Sequence, residues 1–269
     1  MARLRAAGCV FAEDEARLVL EAARTPADLE EFVRRRCSGE PLEHVLGWAE
    51  FAGLRIAVGA GVFVPRQRSR LLVRLAVELV GQAAGRDAPA VRPAVIVDLF
   101  CGSGAIGAAV AAELAARGRA CELHAADIDP VAAAYARHNL APCSGRVHIG
   151  DVFAALPGSL RGRVDVLVAN APYVPTVAVA LMPPEARNHE PLAALDGGDD
   201  GLALHRRVAA GAGEWLAPGG TVILEASPAQ ARVTAGLLAG VGLPARTVQD
   251  DDLDAAAALG TRPRVEART

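Results

Sequence analysis

Lysine is absent from all 269 residues, so every one of the 28 basic side chains is arginine. That excludes Schiff-base chemistry and any phosphate loop built on a lysine, and with it the P-loop kinases and ATPases. Cysteine is sparse: five residues, an odd number without metal-ligand spacing, fit a reducing cytoplasm better than a disulfide framework or a metal centre. No apolar run is long enough to cross a bilayer, and Met1 to Ala12 lacks the apolar core of a signal peptide. Internal repeats and low-complexity tracts are missing, apart from a general excess of alanine. A net charge of -3 and a pI near 6.1 argue against wrapping bulk nucleic acid while leaving room for a local basic patch. The expectation is a soluble intracellular protein with one large domain, or a large and a small one.

What is present is an alternation of patterns. Up to about Gly39 the chain reads as two helices, the second starting where Thr25, Pro26 and Asp28 supply a hydroxyl cap, a first-turn proline and a carboxylate near the exposed amides. Arg34, Arg35 and Arg36 close it and read as a solvated helix end favoured by the macrodipole. Aromatic and β-branched residues broken by Gly47, Gly53, Gly59 and Gly61 suggest a hairpin-like connector. Leu71 to Val80 follows as an apolar helix pattern, and a domain boundary falls either there or in the small-residue stretch Gly85 to Pro93. Beyond it, strand-like Ala94 to Leu99, Cys121 to Asp127, Arg146 to Ile149, Val164 to Ala169 and Thr221 to Ala226 are interleaved with helical patterns. Those helices run from Ala105 to Arg117, Pro130 to Leu140, Leu202 to Leu216 and Pro228 to Ala239, and Ala245 to Ala267 adds a last strand pair. The alternation implies an α/β fold with a mainly parallel sheet covered on both faces. Residues 1–44 form a helical part, 45–65 the connector and 66–269 the large domain.

In such a sheet the ligand lies outside the carboxyl ends of the strands, where their order reverses. Asp98 ends the first strand of the alternation, and Phe100-Cys101-Gly102-Ser103-Gly104 follows as a glycine turn leading into a helix whose free amides point into the same crevice. Asp127, followed by Ile128, ends the neighbouring strand, where a carboxylate can accept both ribose hydroxyls. Asp151, followed by Val152, is placed to meet an adenine edge. Gly102, Gly104 and Gly107 also satisfy the dinucleotide pattern, so a nicotinamide cofactor competes. Asp98 tips the balance: a carboxylate before the glycine loop suits a cationic amino-acid ligand and repels a pyrophosphate, which favours S-adenosylmethionine.

Val168-Ala169-Asn170-Ala171-Pro172-Tyr173 closes another apolar run with an amide, a proline and an aromatic ring. An amide or aniline-like nitrogen is a poor nucleophile because its lone pair is delocalised. Asn170 can accept one N–H through its side-chain oxygen and the Ala171 carbonyl the other, turning the lone pair toward a methyl donor. Pro172 stiffens the turn, and Tyr173 offers a ring for stacking. No general base is needed, because a nitrogen that has accepted a methyl group becomes strongly acidic.

From Pro41 to Gln230 the chain resembles the protein glutamine N5-methyltransferases that modify the Gly-Gly-Gln loop of peptide-chain release factors. The resemblance is carried by Glu40-Pro41-Leu42, Val45-Leu46-Gly47, Phe51, Val64-Pro65-Arg66, the Asp98 to Gly104 loop and Asn170 to Tyr173. It continues through Glu190-Pro191, Ala194-Leu195, Gly197 to Leu202, Leu216 to Gly220, Leu224-Glu225 and Gln230. It implies a Rossmann-like class I S-adenosylmethionine-dependent methyltransferase domain with a seven-stranded sheet, a connecting hairpin and an N-terminal helical domain, here shortened, for recognising a protein substrate. It also implies that Arg66, Glu190 and Pro191 line the approach to Asn170, Pro172 and Tyr173. The sequence departs from the family pattern at Phe100, where a glycine is usual, and at Ala171, where a proline is usual. A third departure is Pro65-Arg66-Gln67-Arg68-Ser69-Arg70, where the family has Pro-Arg-Pro-Glu-Thr-Glu. The substrate expected is a glutamine in a release factor or another protein. Methylation of an exocyclic amine on an RNA or DNA base is the first rival, and a nicotinamide-dependent oxidoreductase or a non-catalytic nucleotide-binding module the second.

Several features have plainer readings. Arg66, Arg70 and Arg74 at four-residue spacing suggest one solvated helical face, or a receptor for phosphates. Asp196 to Gly201 lacks calcium-loop spacing and reads as a turn. The six histidines, scattered without metal spacing, are taken as structural, and Cys101 as a small loop residue rather than a nucleophile.

Overall fold

A computed structural model describes residues 1–83 and 92–264. Most of the glycine- and proline-rich stretch Gly85 to Pro93, offered above as one place for a domain boundary, lies outside the described residues, as do the last five of the chain. Strands β1 (Trp48–Phe51) and β2 (Leu54–Ala57) form the expected antiparallel hairpin. It turns through Ala52 and Gly53, both at positive φ (50° and 78°), the combination that matches the twist of a two-residue hairpin.

The large sheet comprises β3 (Ala94–Leu99), β4 (Cys121–Asp127), β5 (Arg146–Ile149), β6 (Val164–Ala169), β7 (Leu216–Ala226), β8 (Ala245–Asp250) and β9 (Ala255–Thr261). Their order is β5-β4-β3-β6-β7-β9-β8, with β9 antiparallel to both its neighbours and the other pairings parallel. This is the α/β, Rossmann-like, mainly parallel seven-stranded arrangement the sequence implies. The strand order reverses between β3 and β6, so the crevice expected of such a sheet opens where their carboxyl ends diverge.

Strand periodicity of two distributes successive residues between two cores. Ile96, Val166, Val168 and Ile223 join one core with the helices Arg70–Ala83 and Ala105–Ala116. Val97, Leu99, Leu167, Val222 and Leu224 join the other with the helix Ala203–Trp215. Both faces are dry, which is why these strands read as continuous apolar runs. β7 begins at Leu216 rather than Thr221 because Leu216 already pairs with Val164 before a register shift.

The N-terminal part holds four helices, Ala2–Ala6, Ala12–Ala22, Pro26–Cys37 and Leu42–Leu46; three of them precede Gly39, where two were expected. The extra breaks come at Gly8 and Gly39, both at positive φ. The capping box is present: Asp28 N–H donates to Thr25 Oγ1 at 3.1 Å and Thr25 N–H to Asp28 Oδ2 at 3.0 Å. Arg36 departs from the solvated helix end read above. Its side chain is 7% exposed and pairs with Glu15 at 2.7 Å and with Glu185 at 2.6 Å, tying the first helices to a segment well beyond the sheet's fourth strand. No described helix is long and apolar enough to cross a membrane.

Removing one member of a buried ion pair leaves an uncompensated charge and costs about 3 kcal/mol. Arg36→Met is therefore expected to lower the unfolding free energy by that amount, seen as a lower urea midpoint, with Glu15 stranded. Arg34→Ala, which removes only an exposed pair with Glu31, should leave the midpoint unchanged.

Candidate active site

The carboxyl ends of β3, β4, β6 and β7 converge on a cleft of about 1110 Å³ counting its open mouth. From the glycine loop it is lined by Phe100, Cys101, Gly102 and Ser103, from the end of β4 by Asp127 and Ile128, and beyond β6 by Asn170, Ala171, Pro172 and Tyr173. Arg66 and Pro191 also reach it. The two motifs deduced separately thus share one cavity.

The glycine loop is held by backbone geometry. Cys101 N–H donates to Ala126 O at 3.1 Å and Gly104 N–H to Cys101 O at 2.7 Å. Gly102 and Gly104 have φ of 54° and 78°, and a Cβ at Gly104 would lie 3.2 Å from Ala136 and Leu140. Phe100 also sits at positive φ, 57°, a conformation a bulky residue rarely takes. Asp127 accepts from Gly102 N–H at 2.8 Å and from Asp129 N–H at 2.9 Å, so its carboxylate is fixed at the rim with lone pairs to spare.

Asp98 lies beneath the loop, fully buried. Oδ2 accepts from Gly107 N–H at 2.9 Å, while Oδ1 has no partner among the described residues. Burial, with Asp127 adding a smaller push, raises its carboxyl from 3.8 to about 7. Asp151 and Val152 are not brought to the cleft. The Asp151 carboxylate pairs with Arg207 at 2.6 Å, and Val152 is buried behind it. Glu190 is buried too: it accepts from Val64 N–H at 3.1 Å and holds Arg66 at 2.7 Å, so it acts on the approach through Arg66 rather than by touching the cavity.

Asn170 Nδ2 donates to Ser69 Oγ at 3.2 Å, and its Oδ1 accepts no hydrogen bond among the described residues. The backbone that follows is braced from below. Gln230 Nε2 donates to Tyr173 O at 2.8 Å and to Asp200 O at 3.3 Å, and Gly197 N–H donates to Val174 O at 2.8 Å. At Gly201, with φ of 75°, a Cβ would come within 2.3 Å of Tyr173 O. The stretch from Asp196 to Gly201 is indeed a turn, but one moulded to the backbone of the Asn170 motif.

The arginine pattern dissolves. Arg66 is extended (φ -95°, ψ 139°) and engaged by Glu190, whereas Arg74 pairs with Asp250 at 2.6 Å. Sequence reading overlooked the roles of Arg68, Ser69 and Glu225, all of which line the cleft. For Glu225 a signal existed, since it ends an apolar strand in a carboxylate as Asp98 and Asp127 do.

The methyltransferase small domain family model matches residues 87–182. A release factor glutamine methyltransferase from Streptomyces coelicolor is 40% identical over 200 residues, covering 74% of this chain and 67% of its own length. One from Bradyrhizobium diazoefficiens is 33% identical over 261 residues, covering 90% of this chain and 84% of its own. The chain belongs to the release factor glutamine methyltransferase family. A methyltransferase from Pyrococcus furiosus shares the fold with a TM-score of 0.53 at 17% identity, covering 78% of this chain and 90% of that one.

The cofactor of this family member is S-adenosylmethionine, and the residues present fit it. Asp98 lies beneath the loop, outside the lining of the cleft, where its unpartnered oxygen sets a buried negative site under the loop; the positive-φ glycines let backbone approach closely, and Asp127 stands ready for vicinal hydroxyls. Nothing in the loop supplies the positive charge that a pyrophosphate would call for.

The raised Asp98 carboxyl makes this testable. In the cofactor-free protein its contribution to stability is fully present below pH 3.8 and is lost as pH rises through about 7. Asp98→Asn should therefore raise the melting temperature of the cofactor-free protein at pH 8, by an amount that shrinks toward pH 5. Because a cation favours the ionised carboxylate, calorimetric affinity for S-adenosylmethionine should rise between pH 6 and pH 8, and that rise should vanish in Asp98→Asn.

Proposed function

We propose that this enzyme methylates the side-chain amide nitrogen of a glutamine in a peptide-chain release factor, in the cytoplasm. The reading is supported by its relatives, which bear the name release factor glutamine methyltransferase. The observation that carries it is the polarity of Asn170: Nδ2 is committed to Ser69 and Oδ1 is uncommitted, beside the glycine loop in one cleft. An amide substrate has two N–H groups to place, and the motif offers two acceptors, Asn170 Oδ1 and the Ala171 carbonyl.

The glycine loop and Asp127, with Asp98 beneath them, would hold the cofactor, which would supply an electrophilic methyl group. Asn170 and Ala171 orient the substrate nitrogen so that its lone pair faces that methyl carbon, and Tyr173 and Pro172 flank the flat carboxamide. Transfer would form the nitrogen–carbon bond as the carbon–sulfur bond breaks, the sulfur keeping the electron pair, and the nitrogen would then give up a proton to water. Holding both reactants in register contributes most of the acceleration. Arg66, held by Glu190, and Pro191 border the approach, and the helical part (1–44) with its hairpin (45–65) serves substrate recognition for the catalytic domain (66–269). Methylation of a nucleic-acid base is disfavoured, because Arg66 and Arg68 at the cleft are each paired with a carboxylate rather than free for phosphates.

Tritiated methyl transfer to a purified release factor tests this. Wild-type enzyme should label the factor and leave total RNA unlabelled, and replacing the glutamine of the Gly-Gly-Gln loop should remove the label. Asn170→Ala should cut kcat by roughly 10²- to 10³-fold, the scale of losing one preorganised partner, while S-adenosylmethionine affinity stays within about twofold. Labelling of RNA instead of protein, or full activity in Asn170→Ala, would falsify the assignment.

A further inference from the structure

The helix Pro130–Leu140 starts at the rim of the cleft, where Asp129 caps it by accepting from Val131 N–H at 2.7 Å, and its last turn carries Asn139. The Asn139 carboxamide engages its oxygen and both N–H groups. Oδ1 accepts from Ala57 N–H at 2.9 Å, while Nδ2 donates to Ala57 O at 2.9 Å and to Ser103 O at 2.8 Å. The two bonds to Ala57 are those a neighbouring strand would make, so the side chain pairs the outer edge of β2 in place of a third strand.

The bond to Ser103 reaches the cofactor side. Helical geometry would give Ser103 O the amide four residues on, Gly107 N–H, as its donor. Gly107 N–H goes instead to Asp98 Oδ2 at 2.9 Å, and no backbone amide of the described residues donates to Ser103 O. Asn139 thus satisfies a carbonyl that the buried carboxylate has left without its helical partner.

Two segments therefore rest on this one helix. The glycine loop meets it at Gly104, where a Cβ would lie 3.2 Å from Ala136 and Leu140, and the connector meets it at Gly59, which abuts the Tyr135 hydroxyl too closely to admit a Cβ. From Gly59 the connector runs straight into the cleft wall, where Gly61, Phe63, Pro65 and Arg66 lie. Packing contacts can slide, but the three-way amide cannot shift without leaving a polar group unpaired.

We propose that Asn139 is a positioning residue that locks the glycine loop to the connector, so that binding S-adenosylmethionine also sets the wall a protein substrate meets. Asn139 does not itself line the cleft; it acts through Ser103 and Ala57. Linkage makes the effect reciprocal: a ligand that steadies Ser103 steadies Ala57, and a protein that steadies the connector raises cofactor affinity by the same factor. The first half concerns the cofactor alone, and the second rests on the proposed role of the connector in recognising the release factor.

Amide exchange of the whole protein, with and without saturating S-adenosylmethionine, tests the coupling. In wild type the cofactor should slow exchange of Ala57 N–H roughly 2- to 10-fold, the range of one hydrogen bond, although Ala57 lies outside the cleft lining. Gly53 N–H, bonded to Glu50 Oε1 at 2.8 Å within the hairpin, should not change. Asn139→Asp keeps an acceptor for Ala57 N–H but loses the donor to Ser103 O, so the slowing at Ala57 should vanish and calorimetric Kd for S-adenosylmethionine should rise roughly 2- to 10-fold. In methylation of a release factor, the same variant should raise KM for both substrates more than it lowers kcat. Ala57 exchange that ignores the cofactor in wild type, or responds to it equally in Asn139→Asp, overturns the coupling, and the wild-type measurement decides even if the variant fails to fold. Neither measurement needs turnover, so a wild-type enzyme that binds S-adenosylmethionine yet leaves the release factor unmethylated would overturn the release-factor reading instead.

Discussion

Two carboxylates are buried at the carboxyl edge of the sheet, each with an oxygen that no described group satisfies: Asp98 at the end of β3 and Glu225 at the end of β7. Leaving a buried polar atom unpaired costs about 1–3 kcal/mol, and burial pushes both carboxyl groups upward. A fold retains such groups only where the rest of the structure over-determines their positions. Here the determination comes from strand parity. Asp98 shares the face of Ile96, which packs under the helix Ala105–Ala116, so its side chain can point nowhere but at that helix's first turn. Glu225 follows a strand whose preceding residues are locked alternately into the two cores. The hydrophobic effect fixes the strands, and the strands deliver the charges.

From those two anchors the cleft divides by chemistry. The Asp98 side gathers backbone amides, positive-φ glycines and a rim carboxylate, an arrangement suited to a cationic nucleoside. The Glu225 side gathers a phenol and an arginine, and shares the cleft with an asparagine that has one face uncommitted. β3 and β6 lie side by side, with Asp98 in register with Val168. The loops that leave these two strands therefore begin about one strand spacing, ~4.8 Å, apart, close enough for one reaction.

Much of this was legible from sequence because it rests on local rules. Strand-like segments running into Asp98, Asp127 and Asn170 marked the strand ends, and Thr25, Pro26 and Asp28 marked a helix start with its hydroxyl cap. What was not legible depends on partners distant in the chain. Nothing local distinguishes Arg36 from Arg34 and Arg35; it is buried because Glu15 and Glu185 lie across from it. The shared helical face drawn through Arg66, Arg70 and Arg74 failed because Arg66 remains extended, where Glu190, 124 residues away, holds it. Asp151 looked like a strand-end ligand by the same rule as Asp127, which lines the cleft, yet Arg207 takes its carboxylate. A rule for strand ends says where a side chain starts, and an ion pair decides where it finishes.

The departure at Ala171 shows how the site tolerates change. Proline in that position would lend rigidity to the turn, but the atom proposed to hold the substrate amide is the backbone carbonyl, which any residue supplies. Ala171 is 1% exposed, so its methyl group is enclosed rather than free to swing. Rigidity is supplied on the other side by Pro172, by Gln230 gripping Tyr173 O, and by Gly197 and Gly201, which admit the motif's backbone at distances no Cβ would allow. Those contacts come from the stretch read as a simple turn and from Gln230, and they explain why these residues accompany the Asn170 motif in the family pattern. A rigid acceptor can be built from the residue itself or from the surface it lies on, and in this enzyme the surface does most of the holding.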